Sequence, residues 1–208
     1  MVAFPSLGTG TAQRWTVAVL VAATVLYVAV QYSRTDVPGT VIGGVAGTVG
    51  TLALISSAAL VHHWPQPLAA LQLVAGAALL GAVSNGMMLG HWYLNQPGLK
   101  TWALARLTLL CLVSIGAAGA AGVLGAGRLT GASTAGAAFG LPGAGDSFGW
   151  AFFLVWVALL GFTGLVVWAA RRCIAIRSIQ SATGLYYVAI LTSGVSEFVV
   201  RYLMVNAT

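Results

Sequence analysis

Glu197 and Arg201 lie four residues apart in the last strongly apolar segment of the chain, and this acid and base are the first candidates for a functional site. On a helix this spacing places both side chains on one face, where a carboxylate and a guanidinium can pair. An ionisable residue inside a membrane helix costs roughly 2.5–3.5 kcal/mol, so such residues usually face protein and often mark function. Two interpretations follow: a structural ion pair, or a site that handles protons or contacts a quinone headgroup.

The acid–base pair belongs to a longer polar stripe. Tyr186, Ile190, Ser193, Glu197 and Arg201 recur at intervals of three or four residues and share one helical face. Two histidines end the second apolar segment at the side of the membrane where we place the pair. We therefore expect an outer site formed by His62, His63, Ser193, Glu197 and Arg201.

A second polar group is predicted at the inner boundary of the membrane. Its members stand near the ends of apolar segments: His91, Tyr93, Arg106, Gln180, Tyr186 and Tyr187. Their side chains can donate hydrogen bonds to quinone carbonyls or to haem propionates. They can equally form an interfacial girdle without a ligand, and the residues alone leave both interpretations open.

The histidines argue against haem b held by this chain alone. His62 and His91 are predicted on opposite sides of the membrane, and the adjacent His62 and His63 point about 100° apart on a helix. A haem shared with a partner subunit stays open. We expect no metal site and no catalytic residue, because the sequence has only three acids and lacks the hydrolase, zinc-protease and phosphate-loop motifs.

Composition identifies the setting of these groups. Of 208 residues, 59% are hydrophobic and 6% are charged, whereas soluble domains carry roughly 25% charged residues. We predict an all-α integral membrane protein surrounded by lipid. The nine basic residues mostly separate apolar segments, so they indicate topology, and nucleic-acid binding is not expected.

Six segments are long enough to cross the hydrocarbon layer, which needs about 20 apolar residues. They are residues 15–32, 41–62, 68–92, 103–124, 150–170 and 184–205. We predict a single transmembrane domain over residues 1–208, a six-helix bundle with a Gly/Ala/Ser-rich outer loop at 125–149. Basic residues concentrate after the first, third and fifth segments. The positive-inside rule therefore places both termini on the non-cytoplasmic side of the membrane, which we expect to be the inner membrane of a bacterium.

Small and aromatic residues complete the pattern. Gly43-x-x-x-Gly47 and Gly86-x-x-x-Gly90 predict close helix–helix contacts. Aromatic residues near the predicted helix ends, Trp64 among them, are expected to anchor the chain at the membrane interfaces.

The combination of His91-Trp92-Tyr93, Arg106 and Gln180-x-x-Thr183-Gly184-x-Tyr186-Tyr187 resembles small membrane subunits of bacterial respiratory complexes. The resemblance covers the general architecture and these boundary residues. It implies a membrane anchor for electron-transfer subunits that can exchange electrons or protons with quinone. The paired haem histidines of many such anchors are missing here, so the resemblance supports the anchoring role more than a redox role.

Three functions therefore compete at the level of sequence. The first is an anchoring or quinone-contacting subunit of a membrane oxidoreductase, with membrane lipids and other subunits as partners. The second is a small-solute or ion transporter that uses Glu197 and Arg201. The third is a structural or assembly subunit without chemistry of its own.

Overall fold

The fold is known from a computed structural model that describes residues 11–31, 36–61, 64–96, 98, 100–130 and 145–206. Within these ranges every regular element is a helix, and no strand occurs. The predicted all-α class is confirmed.

The helices run in chain order as α1 Thr11–Gln31, α2 Asp36–Ser57, α3 Gln66–Asn95, α4 Trp102–Leu124, α5 Ala126–Leu129, α6 Gly145–Ala175 and α7 Ile179–Asn206. A short 3-10 turn, Ala58–Leu60, follows α2. Helices α3, α4, α6 and α7 extend up to a few residues beyond the apolar segments predicted for them, because polar interfacial residues can continue a helix. In the region predicted as the outer loop 125–149, the chain forms α5 and the first turn of α6, and residues 131–144 lie outside the described ranges.

Five helices are long and apolar enough to cross a membrane, which makes this a multi-pass membrane protein. These spans are Thr40–Leu60, Gln66–Asn95, Trp102–Leu124, Phe148–Ala175 and Ile179–Val205. The first predicted span corresponds to α1, where the apolar stretch Ala18–Val30 is shorter. The count of six spans therefore stays a prediction.

The chain divides into two compact units, Met1–Leu60 and Val61–Thr208. In the first unit, α1 packs against α2. A Cβ atom on Gly43 would lie 2.9 Å from the Tyr27 ring, and one on Gly50 would lie 3.4 Å from Leu20. Gly43 and Gly50 thus let α1 approach closely, whereas no described atom lies within 4 Å of a Cβ position on Gly47, so only the first glycine of the predicted pair takes part in this contact. The prediction of one domain over the whole chain stays a prediction.

The second unit, here called the four-helix unit, contains the long helices α3, α4, α6 and α7. Helix α3 packs against α4 and α7, and α6 packs against the same two helices. Its register along α3 and α7 is antiparallel: Gly76 faces Glu197, Gly86 faces Tyr186, and Gly90 faces Thr183. Each glycine removes the Cβ atom that would collide with the facing side chain, so the pattern Gly86-x-x-x-Gly90 forms a helix–helix contact.

Two tryptophans pack against glycines at the C-terminal end of α4. The Trp156 ring of α6 occupies the space in front of Gly122 on α4, and Trp64 packs 2.6 Å from the position of a Cβ atom on Gly125. Both indoles are buried. The prediction that Trp64 is an interfacial anchor is therefore wrong, because the glycine at the end of α4 opens a place for its ring inside the unit.

The outer faces of these helices are apolar. Val113 on α4, Leu165 on α6 and Leu191 on α7 expose 60%, 65% and 71% of their surfaces. Water would oppose so much large apolar exposure on a single chain, whereas lipid tails cover it at no cost. Most described polar side chains of the unit face inward or lie near its ends, and the exposed Asn85 of α3 donates to the Gly81 carbonyl of its own helix.

Candidate functional site

The polar stripe of α7 faces the interior of the four-helix unit. Tyr186, Ser193 and Glu197 are buried, and Arg201 at the end of the stripe is half-buried. Helix α3 covers this face, since Glu197 and Tyr186 fill the spaces in front of Gly76 and Gly86. The stripe therefore faces protein and not lipid, which is what its charge requires.

Glu197 and Arg201 form the ion pair that their spacing predicts. Nε of Arg201 lies 3.4 Å from Oε2 of Glu197, and the two side chains are 40% and 3% exposed. This distance is long for a charge-assisted hydrogen bond, which is typically 2.7–2.9 Å. The acid is enclosed, while the base reaches out of the unit near the C-terminal end of α7.

The second carboxylate oxygen has no protein partner. Oε1 of Glu197 is buried and accepts no hydrogen bond among the described residues. A buried polar group left unpaired costs roughly 1–3 kcal/mol, and more when it is charged. Glu197 therefore has an unused acceptor that a proton, a water molecule or a bound group would satisfy.

Gln72 adds an amide at the same level of the unit. It stands one turn before Gly76 on α3, and the antiparallel register places it opposite the turn that contains Arg201. Its side chain is 1% exposed, and both its Oε1 and its Nε2 lack partners in the part of the chain that the structure describes. Sequence reasoning missed this residue, although the available signal was an amide in the otherwise apolar stretch 67–83 of α3.

Ser196 extends the polar group toward α6. It follows Thr192 by one turn, and Thr192 accepts a hydrogen bond from Thr163 of α6 at 2.8 Å, so this face of α7 meets α6. Ser196 is fully buried, and its hydroxyl has no partner among the described residues. We call Gln72, Ser196, Glu197 and Arg201 the internal polar cluster.

Among the described residues, the other buried side-chain groups without a partner lie at the same end of the unit. They are the indole N–H groups of Trp64, before α3, and of Trp156, in the first half of α6 and facing Gly122. In the opposite half of the unit, by contrast, a buried tyrosine and a buried threonine are hydrogen-bonded. Tyr186 Oη and Thr108 Oγ1 are 2.7 Å apart, and Thr108 also donates to the Leu104 carbonyl. Polar groups that lack partners thus concentrate around the internal polar cluster, where native proteins usually hold water or a ligand.

The predicted outer site is only partly described. Ser193 is buried and donates a long hydrogen bond, 3.3 Å, to the Ile190 carbonyl of its own helix. His62 and His63 lie outside the described residues. The structure brings Glu197 and Arg201 together and adds Gln72 and Ser196, which the sequence analysis did not include.

The predicted inner site is divided between three environments. Tyr93 and Gln180 line a cavity of about 900 Å³ between the α3–α4 connection and the start of α7. His91 and Tyr187 are exposed on their helices, and Tyr186 is buried deeper, against Gly86. Arg106 lies 4.8 Å from the ring centre of Trp102 in a cation–π contact.

Two cations that sequence reasoning did not include line this cavity, Lys100 and Arg177. Tyr93 Oη donates to the Lys100 carbonyl at 3.0 Å, which fixes the connection between α3 and α4. Gly98 turns this connection with a φ of 98°, a value that glycine adopts without strain.

Arg177 occupies an uncommon backbone position. Helix α6 ends in a Schellman motif: Arg177 N–H donates to the Ile174 carbonyl at 3.0 Å, and Ser178 N–H donates to the Cys173 carbonyl at 2.8 Å. Arg177 has the left-handed φ of 59° that this motif needs. Glycine usually fills the position, and a side chain there costs roughly 1–2 kcal/mol. The chain therefore keeps a cation beside the cavity where its backbone favours glycine.

No protein-family model, curated protein or solved structure matches this chain. Functional inference therefore depends on the geometry of the two polar regions.

Proposed function

We propose that the chain is an anchor subunit of a bacterial membrane oxidoreductase, and that its internal polar cluster exchanges protons with a quinone headgroup. The observation that carries this proposal is the buried Glu197 carboxylate, which has one oxygen paired with Arg201 and the other without a partner among the described residues. Quinone reduction takes up protons, and a buried carboxylate at the same level of the unit as the Gln72 amide and the Ser196 hydroxyl can transfer them.

Arg201 supplies the route by which a headgroup would approach. Its side chain is 40% exposed next to an almost fully buried acid, so the guanidinium is the accessible member of the pair. A quinone carbonyl accepts hydrogen bonds, and a guanidinium has five N–H donors. Arg201 would hold the carbonyl while Glu197 exchanges the proton.

Charge distribution supports the remaining parts of the proposal. Lys100, Arg106, Arg171, Arg172 and Arg177 all belong to the end of the four-helix unit where α3 and α6 finish. The positive-inside rule makes this the cytoplasmic end, with six crossings and both termini outside a bacterial inner membrane. The internal polar cluster then lies in the outer half of the bilayer.

Haem enters this proposal only as a group shared with a partner. His91 is the one histidine among the described residues, and it is exposed on α3. A haem b held here would need its second axial ligand from another subunit.

Purification of the chain with its partners from native membranes tests the proposal. The expected preparation contains redox-active subunits and extractable quinone. Gln72→Leu should leave assembly intact, because the amide has no hydrogen-bond partner among the described residues to lose, and should reduce quinone-linked turnover at least several-fold. Gln66→Leu, an exposed amide in the first turn of the same helix, is the matched control. A chain that purifies alone, without redox partners and without quinone, contradicts the proposal.

A second candidate function rests on the same unpaired oxygen. A membrane carboxylate with a free acceptor is also what an ion or small-solute transporter needs to bind a proton or a cation. Reconstituted vesicles would then show flux that disappears in Glu197→Gln. If neither flux nor quinone chemistry is found, and apolar replacement of both Glu197 and Arg201 preserves the host complex, the third hypothesis of an assembly subunit replaces both.

A further inference from the structure

The cavity at the basic end of the four-helix unit is positively charged, and among the described residues no ion pair neutralises that charge. Lys100 and Arg177 line it, and Arg106, Arg171 and Arg172 belong to the same end. The unit contains two acids. Glu197 pairs with Arg201 near the other end of α7, and Asp146 stands in the first turn of α6, roughly 45 Å along that helix from Arg177.

Two of these cations are held by aromatic rings and not by carboxylates. The Arg106 guanidinium lies 4.8 Å from the Trp102 ring centre, and the Arg172 guanidinium lies 5.2 Å from that of Trp168. Ring contacts position a guanidinium without cancelling its charge. The field at this end of the unit therefore favours an anion.

The cavity walls suit a phosphate group. Lysine binds phosphate as a point charge, and arginine binds it through a planar fork of donors. Gln180, Ser178 and Thr101 supply further polar groups, while Trp102 and Ile179 form an apolar side toward the membrane. The positive charge of the cavity attracts an anion strongly, whereas it gives a neutral quinone carbonyl little electrostatic stabilisation.

Arg177 gives independent evidence. Its φ of 59° is the value that favours glycine, and Arg177 N–H makes the hydrogen bond to Ile174 that any residue at that position would make. A cation at the end of a helix gains some stability from the helix dipole, but less than the left-handed conformation costs a side chain. The helix alone therefore favours glycine over Arg177, whose side chain lines the cavity, and strained positions of this kind cluster at functional sites.

We propose that this cavity binds a phosphate-bearing anion, either the headgroup of an acidic phospholipid or a free phosphate compound, through Lys100 and Arg177. This inference does not depend on the function proposed for the internal polar cluster. The two regions lie at opposite ends of the same helices, so they can be tested separately.

The test uses the full chain, purified in a non-ionic detergent and stripped of lipid. Phosphatidic acid, phosphatidylcholine and inorganic phosphate are added separately at equal ionic strength, and unfolding is followed by tryptophan fluorescence with adducts counted by native mass spectrometry. At a ligand concentration about 100-fold above Kd, the Tm should rise by roughly 5 °C or more. A rise with phosphatidic acid alone identifies the lipid headgroup, and a rise with inorganic phosphate as well identifies the free anion.

Arg177→Gly separates binding from folding. Glycine takes the left-handed conformation without strain, so the Tm without ligand should stay equal or increase, while the ligand-induced rise falls by at least half. Lys100→Gln combined with Arg177→Gly should abolish the rise. Arg128→Gln, an exposed cation on α5 near the other end of the unit, should keep it. Equal shifts with phosphatidic acid and phosphatidylcholine and none with phosphate, or a full shift in the double variant, would overturn the proposal.

Discussion

At the scale of single residues, Glu197 shows how a charge is accommodated inside an apolar chain. Its Oε2 pairs with Arg201 and lies directly in front of Gly76, while Oε1 has no partner in the described structure. A glycine on the neighbouring helix thus makes room for a carboxylate. The position of this acid depends on the absence of a single methyl group.

Gly76→Ala should therefore destabilise the protein. The new Cβ would overlap the Glu197 carboxylate, and overpacking a closely packed interior typically costs roughly 1–3 kcal/mol. Gly81→Ala on the same helix is the matched control, since nothing lies within 4 Å of its Cβ position. Thermal unfolding in detergent compares the two variants.

A second substitution checks the cause. In a Glu197→Ala background the overlapping carboxylate is gone, so Gly76→Ala should cost much less there than in the native chain. Equal costs in both backgrounds would show that the carboxylate does not occupy the space in front of Gly76.

At the scale of helices, a buried side-chain hydrogen bond links α7 to α4, although each of these two helices packs mainly against α3 and α6. Tyr186 from α7 passes in front of Gly86 on α3 and reaches Thr108 on α4, with the two oxygens 2.7 Å apart. Thr108 also donates to the Leu104 carbonyl of its own helix. Three helices are thus connected through one aromatic side chain.

Tyr186→Phe should destabilise the unit by about 0.6 kcal/mol, the average for hydrogen bonds between membrane helices, and by less than the maximum of about 1.7 kcal/mol. The cost should stay near the average, because Thr108 keeps its bond to Leu104. Tyr187→Phe, an exposed neighbour, should change stability very little. The measurement is the midpoint of unfolding in a mixed detergent, and a loss of equal size in both variants would contradict the role of the buried bond.

At the scale of the whole molecule, orientation is a consequence of charge and can be tested with thiols. Cys173 lies half-buried in the last turn of α6, and Cys111 is fully buried in α4. If the basic end is cytoplasmic, an impermeant maleimide should label Cys173 in inverted vesicles and not in intact cells. Cys111 should react only after denaturation.

The number of crossings is tested from the two chain ends. Cysteines introduced as Ser6→Cys and Ala207→Cys should both react with the same reagent in intact cells, as six crossings with outer termini require. Labelling of only one end would mean that the chain crosses the membrane an odd number of times. The five long apolar helices would then be the spans, and α1 would not cross the membrane.

Much of this protein could be read from its sequence because membrane helices satisfy their backbone hydrogen bonds locally. Apolar runs of about 20 residues therefore located the helices α3, α4, α6 and α7 within a few residues, and the spacing of Glu197 and Arg201 predicted their pair. The sequence was less informative at Trp64, where an aromatic residue at a helix end is equally compatible with an interface and with a glycine-lined place inside the protein.

What only the tertiary structure decided is which residues from different helices meet. Gly76 and Glu197 are 121 positions apart, and no local rule connects them; the antiparallel register of α3 and α7 brings them into contact. The cavity beside Lys100 and Arg177 likewise depends on two turns that are separate in the chain and adjacent in space. The length of an apolar run and the spacing of residues along a helix are properties of one segment, so they determine where the helices lie in the sequence. Which residues of different helices contact each other depends on how the helices pack, and a single segment does not encode that packing.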